Sequence, residues 1–393
     1  MYLKRSALAA YCITLSVLLA LHPADSRSAP PAAQASAATL APLEQAHTFA
    51  QVRQGQHGGR IATLLVLART ASQVEAIDLS ALSGLYGLDA FDVIRRFDAA
   101  ALDALARSRA GVRTVPFSSL LGVGPRGLAH VAAGTNYPAH GAEVGVDDAF
   151  LFPKLSAASG PDGAIAAAPG ALLDYEVEVC ARFDRELRSL ADFDAARKGF
   201  FLCGDFTDRA TLVRNIDLKN IPSGDGFADA KSGPRRFPAG QLLVVPRDWK
   251  AFLDRVHIAT FVNGERRQLA RAGDMIKDLR AIVGETLAQA HTRTWSYRGA
   301  RIPMVERGAI GTESAILTGT GEGVVFQQPG PEVMREVMTA SDRARQLAVV
   351  ERYLAGQERR RIYLQPGDEV RHASNYLGAI RVRVVAPSSA DRD

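Results

Sequence analysis

Acidic and apolar residues alternate between Asp174 and Val179, inside a stretch that is otherwise apolar. Because successive side chains of a β-strand point to opposite faces, Glu176 and Glu178 would share one face. Two carboxylates on one face repel each other in a low-dielectric environment unless they share a proton or hold a cation. Oxygen ligands favour Mg²⁺, Mn²⁺ or Ca²⁺. For this segment alone, an edge strand whose glutamates face water is the simpler interpretation.

Two further groups could do chemistry beside these carboxylates. Asp205 follows an apolar run, residues 200–204, where a predicted strand opens into a turn. Such turns often carry ligands, although an aspartate that caps the turn would fit the same position. His140 and Glu143 are three residues apart, so one helical turn would place them on the same side. A carboxylate that orients a neutral imidazole gives a general base for water, whereas a surface ion pair is the simpler interpretation of this spacing alone.

Two loops complete the set of candidates. Lys231 lies in a segment rich in Gly and Pro, residues 220–240, where a lysine is normally solvated. A Gly-rich segment, residues 318–323, follows an apolar run and could bring backbone N–H groups close to an anion. It lacks the spacing and the lysine of a phosphate-binding loop, so it predicts no nucleotide site.

Composition places the chain among ordinary globular proteins. It has 393 residues, of which 47% are hydrophobic and 23% charged, enough to bury a large core. Its formal charge of +5 is modest for this length. The sequence shows no dense cluster of Lys and Arg interleaved with aromatic residues, so we predict no nucleic-acid binding.

The first residues have the pattern of a targeting signal. Lys4 and Arg5 precede an apolar run, residues 7–21, and small residues suited to a peptidase follow it. The run is shorter than the ~20 residues that span a membrane comfortably. We therefore predict a signal peptide over residues 1–28 and an exported, periplasmic protein with no stable membrane anchor after cleavage. An uncleaved anchor is the competing interpretation.

The rest of the chain divides by composition and hydrophobic pattern. Residues 29–44, rich in Ala, Pro and Ser, predict a disordered spacer. A strand pattern followed by helical patterns predicts a small N-terminal α/β domain over residues 45–118. Residues 119–393 combine short strands with many Gly and Pro turns, which predicts a larger β-rich domain, with a helical insertion near 330–360. The predicted fold class is α+β, rich in β structure.

Two cysteines follow the predicted signal peptide, Cys180 and Cys203. Each lies two residues from a candidate metal ligand, Glu178 or Asp205, so their strands could be neighbours. In an oxidising compartment they could form a disulfide. Two separate buried thiols fit the sequence equally well, and the sequence leaves both possibilities open.

Taken in order, these motifs resemble those of the fumarylacetoacetate hydrolase family. The resemblance covers about residues 120–385, and the order of the motifs is more specific than any one of them. The motifs are Gly134-x-Asn136-Tyr137-x-x-His140-x-x-Glu143, Asp174-Tyr175-Glu176-Val177-Glu178, Gly204-Asp205-x-x-x-Arg209, Lys231-Ser232, Val262-Asn263-Gly264-Glu265 and Leu317-Thr318-Gly319-Thr320-Gly321-x-Gly323.

The resemblance implies a mixed β-roll catalytic domain that holds one Mg²⁺, Mn²⁺ or Ca²⁺ ion. It also implies a homodimer, a role in the catabolism of aromatic compounds, and a small-molecule 2-oxo acid or 1,3-dicarbonyl acid as substrate. The metal ligands would be Glu176, Glu178 and Asp205. His140 with Glu143 would activate water or move a proton, and Lys231 would stabilise an enolate or bind a carboxylate. Substrate binding would fall to Arg209, Thr318, Gly319 and Thr320.

The sequence departs from the family pattern at three places. Gly204 stands where members commonly have Asn, and Ala210 stands where an acidic residue often follows the Arg, so both changes could loosen contacts on the substrate side. The segment between Gly323 and Leu364 is longer than the usual connection. We expect substrate specificity to come from this insertion and from two loops, residues 157–169 and 220–234.

The leading hypothesis is a metal-dependent hydrolase that cleaves a carbon–carbon bond in a fumarylacetoacetate-like or acylpyruvate-like acid. A second hypothesis keeps the metal and the enolate but without attack by water, as in a 2-oxo acid decarboxylase or an ene-dioate isomerase. A third is an exported protein that binds an oxo acid without catalysis. The presence of His140, Glu143 and Lys231 argues against the third.

Overall fold

The computed structural model describes residues 39–55, 59–218 and 220–387. The predicted signal peptide and residues 29–38 of the predicted spacer lie outside this part of the chain, so export stays a prediction. Among the described residues, no helix combines the length and the apolar character needed to cross a membrane.

The described residues form short strands and mostly short helices. The strands are β1 (Ala46–Gln54), β2 (Arg60–Arg69), β3 (Gln73–Asp78), β4 (Arg113–Pro116), β5 (Leu120–Leu121), β6 (Ala129–Gly134), β7 (Phe150–Leu155), β8 (Asp162–Ala166), β9 (Leu173–Asp174), β10 (Val177–Phe183), β11 (Lys198–Gly204), β12 (Thr207–Asp208), β13 (Leu243–Pro246), β14 (His257–Val262), β15 (Glu265–Arg271), β16 (Thr294–Tyr297), β17 (Ala300–Pro303), β18 (Ile316–Leu317), β19 (Glu369–Ser374) and β20 (Gly378–Val385). The helices are α1 (Leu79–Ser83), α2 (Ala90–Ile94), α3 (Ala99–Ser108), α4 (Pro138–Val144), α5 (Leu190–Ala195), α6 (Arg209–Asn215), α7 (Phe227–Lys231), α8 (Trp249–Leu253), α9 (Leu279–Gln289), α10 (Pro331–Thr339) and α11 (Arg343–Arg360).

One large mixed sheet runs through the molecule. Its order is β4-β3-β2-β1-β13-β11-β10-β18-β6-β7, and β5 pairs with β1. All of these pairs are antiparallel except that of β18 with β6. Strands account for 32% of the residues and helices for 29%, so the predicted β-rich α+β fold class is confirmed.

Strands on both sides of the predicted domain boundary share this sheet. β1 pairs with β13, which places Phe49 opposite Leu243. The helices of this region are capped as their sequences predict: Asp98 accepts a hydrogen bond from the N–H of Ala101 at the start of α3. Leu102 and Ala106 then face the core from one side of that helix. The boundary at residue 118 stays a prediction.

A second sheet lies beside β10 and β11, in the order β15-β14-β19-β20-β8. Its residues Ile258, Val370 and Ile380 belong to the same buried cluster as Leu202 of β11. Gln268 reaches from this sheet to accept a hydrogen bond from the N–H of Val177, 3.3 Å away. The central strand β10 is therefore covered by the second sheet, and all seven of its residues are buried.

The segment near residues 330–360 folds as two helices, α10 and α11. Pro331 opens the first, and the Asp342 carboxylate caps the second by accepting from the N–H of Arg345, 2.9 Å away. Val337 and Leu354 pack with residues of α6 in a small buried cluster of their own. This packing fixes the two helices beside α6, which follows the third predicted metal ligand.

Candidate active site

Three buried carboxylates meet where β10 begins and β11 ends. Glu176 precedes β10, Glu178 lies on it, and Asp205 follows β11. The pairing of the two strands continues past their ends, because the N–H of Asp205 donates to the carbonyl of Glu176 over 2.9 Å. Each carboxylate offers one oxygen atom, and these atoms lie within 4.8 Å of one another. All three side chains are buried. The interpretation of a water-facing edge strand is therefore wrong.

A disulfide joins the two strands that carry this cluster. Cys180 of β10 is bonded to Cys203 of β11, and their Cα atoms are 5.9 Å apart. Cys203 lies directly opposite Glu178 in the ladder. The sequence left the pairing of these two cysteines open, and the structure shows that they are paired. They lie on the strands that bring Glu178 close to Asp205.

Two buried lysines neutralise part of the carboxylate charge. The Nζ of Lys231 donates to Glu176 over 2.6 Å, to Asp205 over 2.9 Å and to the Thr207 hydroxyl over 2.8 Å. Lys154 donates to the other oxygen of Asp205 over 2.5 Å. Burial disfavours the charge on Lys231, yet Asp205 and Glu176 raise its pKa above the usual value. These three contacts hold the Lys231 ammonium group in place beside the carboxylates.

Arg209 supplies the third cation. At the start of α6 its guanidinium donates to Asp174 over 2.9 Å and to Glu176 over 2.6 Å. Burial opposes the ionisation of Glu176, but Lys231 and Arg209 outweigh it and lower its pKa to about 2. The bonds of Arg209 thus lie within the protein, which explains why it is buried.

The network also includes Lys154 and Asp174, for which the sequence predicted no role. Lys154 lies in β7 within an apolar run, and a lysine at an inward position of a strand is a signal of a buried partner. Asp174 begins the acidic motif and also accepts from the N–H groups of Val325 and Phe326, over 3.0 and 3.1 Å. It therefore holds the residues that follow the Gly-rich segment against the site.

The charges of the cluster do not balance. Four carboxylates face three cations, which leaves one negative charge without a partner. Among the described residues, Glu178 is the carboxylate of this cluster that makes no ion pair, and it accepts from the N–H of Gly319 over 2.7 Å. Burial raises the pKa of Glu178 well above its usual range, and the charges of Asp205 and Glu176 raise it further. A divalent cation among these oxygens would reverse that effect, so the residues fit a metal that prefers oxygen ligands.

His140 and Glu143 form a pair on α4. The His140 Nδ1 lies 3.2 Å from a carboxylate oxygen of Glu143, and 7% and 20% of the two side chains are exposed. Glu143 also accepts from the N–H of Gly323 over 3.1 Å, which fixes its orientation. The interpretation of a surface ion pair does not fit this burial. Because Nδ1 faces a carboxylate, Nε2 is the nitrogen left to take a proton.

A cavity that is partly open to solvent lies between His140 and the carboxylate cluster, and residues of both line it. The predicted site residues that line it are His140, Glu176, Arg209, Lys231 and Thr320. Glu143, Glu178 and Asp205 lie behind this lining.

Thr318 and Gly319 do not line the cavity. The Thr318 hydroxyl donates to the carbonyl of Val179 over 2.8 Å, and the N–H of Gly319 donates to Glu178. The Thr320 hydroxyl donates to the carbonyl of Val177 over 2.8 Å. The segment thus supports the strand that carries the carboxylates, and contact of its residues with substrate stays a prediction.

Gly204, which stands where family members commonly have Asn, leaves no empty space beside it. A Cβ atom at this position would lie 2.9 Å from a ring carbon of Pro238 and 3.1 Å from the Nε2 of His372. These side chains occupy the volume that a larger residue would need. The expected loosening of the site at this position is therefore not what the structure shows.

The departure at Ala210 is explained by the two additional helices. Ala210 is fully buried, and it packs in one apolar cluster with Val337, Val350 and Leu354. An acidic side chain at this position would point into that cluster. The apolar residue and the insertion therefore belong together.

We expect Ala210→Glu to lower the free energy of unfolding by about 3 kcal/mol or more, because it buries a carboxylate without a partner. Ala355→Glu, at an exposed position of α11, is the matched control and should change it by less than about 0.5 kcal/mol. Urea unfolding of the two variants measures both values. Equal effects would show that Ala210 does not pack against the insertion.

A comparison with models of protein families shows the family of the chain. The model described as "Fumarylacetoacetate (FAA) hydrolase C-terminal" matches residues 129–385. The chain belongs to the fumarylacetoacetate hydrolase family. No curated protein sequence matches it significantly. The predicted family is thereby confirmed, and the matched residues include every predicted site residue.

Several solved structures of the same fold are similar to this family member. A maleylpyruvate hydrolase from a Sphingobium species has 21% identity and a TM-score of 0.53, over 86% of this chain and 100% of that one. A fumarylacetoacetate hydrolase from Exiguobacterium antarcticum has 19% identity and a TM-score of 0.53, over 87% and 100%. A probable 2-hydroxyhepta-2,4-diene-1,7-dioate isomerase from Mycobacterium abscessus has 20% identity and a TM-score of 0.52, over 87% and 99%. These likenesses confirm the predicted fold.

Proposed function

We propose that this family member is a metal-dependent hydrolase that cleaves a carbon–carbon bond in an acylpyruvate-like acid. The observation that carries the proposal is that one cavity brings the oriented His140 beside the buried carboxylate cluster. The similar maleylpyruvate hydrolase, which has also been solved with manganese(II) and pyruvate, supports a 2-oxo acid as substrate. We propose Mg²⁺ or Mn²⁺ as the metal, with Ca²⁺ as the alternative. The homodimer stays a prediction.

In this proposal Glu176, Glu178 and Asp205 hold the cation. Bound there, a divalent cation would supply Lewis acidity toward the 2-oxo acid end of the substrate. Lys231, held at the cavity by two of these carboxylates, places a fixed positive charge beside the position where negative charge develops. Its contacts keep this charge in place before the substrate arrives, so little reorganisation is needed during the reaction.

His140 is the group that would take a proton from water. The Glu143 carboxylate accepts from Nδ1 and holds the ring, which leaves Nε2 to take the proton. Glu143 is itself held by the N–H of Gly323, which makes it a positioning residue. The same pair could move a proton without attack by water, so a decarboxylase or an isomerase is the second candidate function. The similar isomerase structure from Mycobacterium abscessus supports this candidate.

The first test is turnover of a small acylpyruvate, followed by the loss of its dicarbonyl absorbance and by identification of the products. We expect cleavage to pyruvate and a carboxylic acid, loss of activity after chelation, and recovery when Mg²⁺ or Mn²⁺ is added. A protein that binds metal but does not cleave the compound would contradict hydrolysis. Oxaloacetate and an ene-dioate are then the substrates that separate decarboxylation from isomerisation.

A further inference from the structure

The wall of the cavity beyond the carboxylates is apolar. α6 contributes Leu212, Val213 and the following Ile216, which lie three, four and seven positions after Arg209. Residues with this spacing share one face of a helix. At 1.5 Å per residue, Ile216 lies about 10 Å along the helix from Arg209. The apolar face therefore leads away from the carboxylate cluster.

Other elements continue this wall. Phe150 of β7 and Phe227 of α7 line the cavity with their ring centroids 4.9 Å apart, and Leu218 follows α6. Met334 of α10 adds a flexible apolar side chain from the insertion. The insertion is thus part of the binding wall and not a distant addition to the fold.

The charged groups of the cavity are already bound to each other. In the part of the chain that the structure describes, the Lys and Arg side chains that line it are Arg209 and Lys231. Arg209 donates to Asp174 and Glu176, and Lys231 donates to Glu176 and Asp205. A second carboxylate of a substrate would meet a mainly apolar wall, with no unpaired Lys or Arg side chain among the described residues that line it. Burial of such a charge is unfavourable.

We propose that the substrate is a 2-oxo monocarboxylic acid with an extended apolar tail, and that α6 and the insertion hold this tail. The proposal rests on the proposed function only for the 2-oxo acid end. Dicarboxylic acids, which carry a second carboxylate at the far end, are therefore not the preferred substrates. Each methylene buried along the wall should tighten binding roughly fourfold.

Two non-cleavable probes test this directly. 2-Oxooctanoate and 2-oxosuberate have the same number of carbon atoms and differ in whether the far end is a methyl or a carboxylate group. Isothermal titration calorimetry with the Mn²⁺-loaded protein should show 2-oxooctanoate binding at least about tenfold more tightly than 2-oxosuberate. Equal affinity, or tighter binding of 2-oxosuberate, would overturn the proposal.

A change of charge at the wall should reduce the preference for the apolar probe. Met334 is half-buried. In Met334→Arg the aliphatic part of the new side chain can stay against the wall while its guanidinium group meets the far carboxylate of 2-oxosuberate. The affinity of the variant for 2-oxosuberate should therefore rise at least about fivefold. Met338→Arg is the matched control, because Met338 lies on the same helix with 48% of its surface exposed and outside the cavity lining. Leu218→Lys, in the segment that follows α6, gives a second route if Met334→Arg does not fold. An unchanged ratio in a folded Met334→Arg or Leu218→Lys protein would overturn the assignment of the wall.

The outcomes separate this proposal from the proposed function. Discrimination between the probes without cleavage of any acylpyruvate would support the apolar site and overturn hydrolysis. Binding of pyruvate without discrimination between the longer probes, together with cleavage, would support hydrolysis and overturn the apolar site.

Discussion

Glu178→Gln should reduce the affinity for Mn²⁺ at least about 100-fold and abolish metal-dependent turnover. Glutamine has nearly the same shape and can still accept from the N–H of Gly319, but it removes one of three anionic ligands. In chelator the same change should stabilise the protein by about 1–3 kcal/mol, because it removes a buried carboxyl group whose ionisation is unfavourable at this position. Calorimetric titration with Mn²⁺ and thermal unfolding with and without chelator measure the two effects.

The opposite signs of these two effects make the prediction specific. A residue that only supports the fold would lower stability in chelator when it is changed, and its effect on metal would follow from unfolding. Glu44→Gln, at an exposed position outside the site, is the control and should change neither quantity. Wild-type Mn²⁺ affinity in Glu178→Gln would exclude Glu178 as a ligand.

His140→Asn should lower kcat for acylpyruvate cleavage by about 10²–10⁴-fold. The amide of asparagine can still donate toward Glu143, but it cannot take a proton from water. Because His140 does not belong to the carboxylate cluster, Mn²⁺ affinity should stay within about threefold of the wild type. Steady-state kinetics and Mn²⁺ titration of the same preparation separate the chemical step from metal binding.

His257→Asn is the matched control for this variant. His257 is exposed at the start of β14 and does not line the cavity, so its replacement should leave kcat unchanged. Cleavage by His140→Asn at the wild-type rate would show that another group activates water. Loss of Mn²⁺ binding in this variant would instead show that His140 holds the site together.

The carboxylate cluster could be predicted from the sequence because its signals are local. Alternation places Glu176 and Glu178 on one face, and a turn after an apolar run marks Asp205. The contribution of Lys154 could not be found this way. Its amine meets Asp205 across 51 positions of sequence, and no local pattern states which strands will face each other.

The sequence also does not show which way its groups face, or which segments line the cavity. A Gly-rich segment offers donors, but the sequence does not say whether they face a ligand or the protein, and here the N–H of Gly319 faces Glu178. Of the three segments expected to set specificity, residues 220–234 and the insertion line the cavity, through residues such as Phe227 and Met334. Residues 157–169 do not line it; they include β8, which pairs with β20 in the second sheet.

The disulfide couples the binding geometry to the redox state of the surroundings. The loop that it closes, with a sequence separation of 23 between Cys180 and Cys203, restricts the denatured chain enough to stabilise the fold by about 3 kcal/mol. The bond itself joins the two strands that hold Glu178 near Asp205. Where thiols stay oxidised, the two ligands remain linked even when neighbouring elements open. In a reducing compartment the same strands would depend on their backbone hydrogen bonds and packing alone.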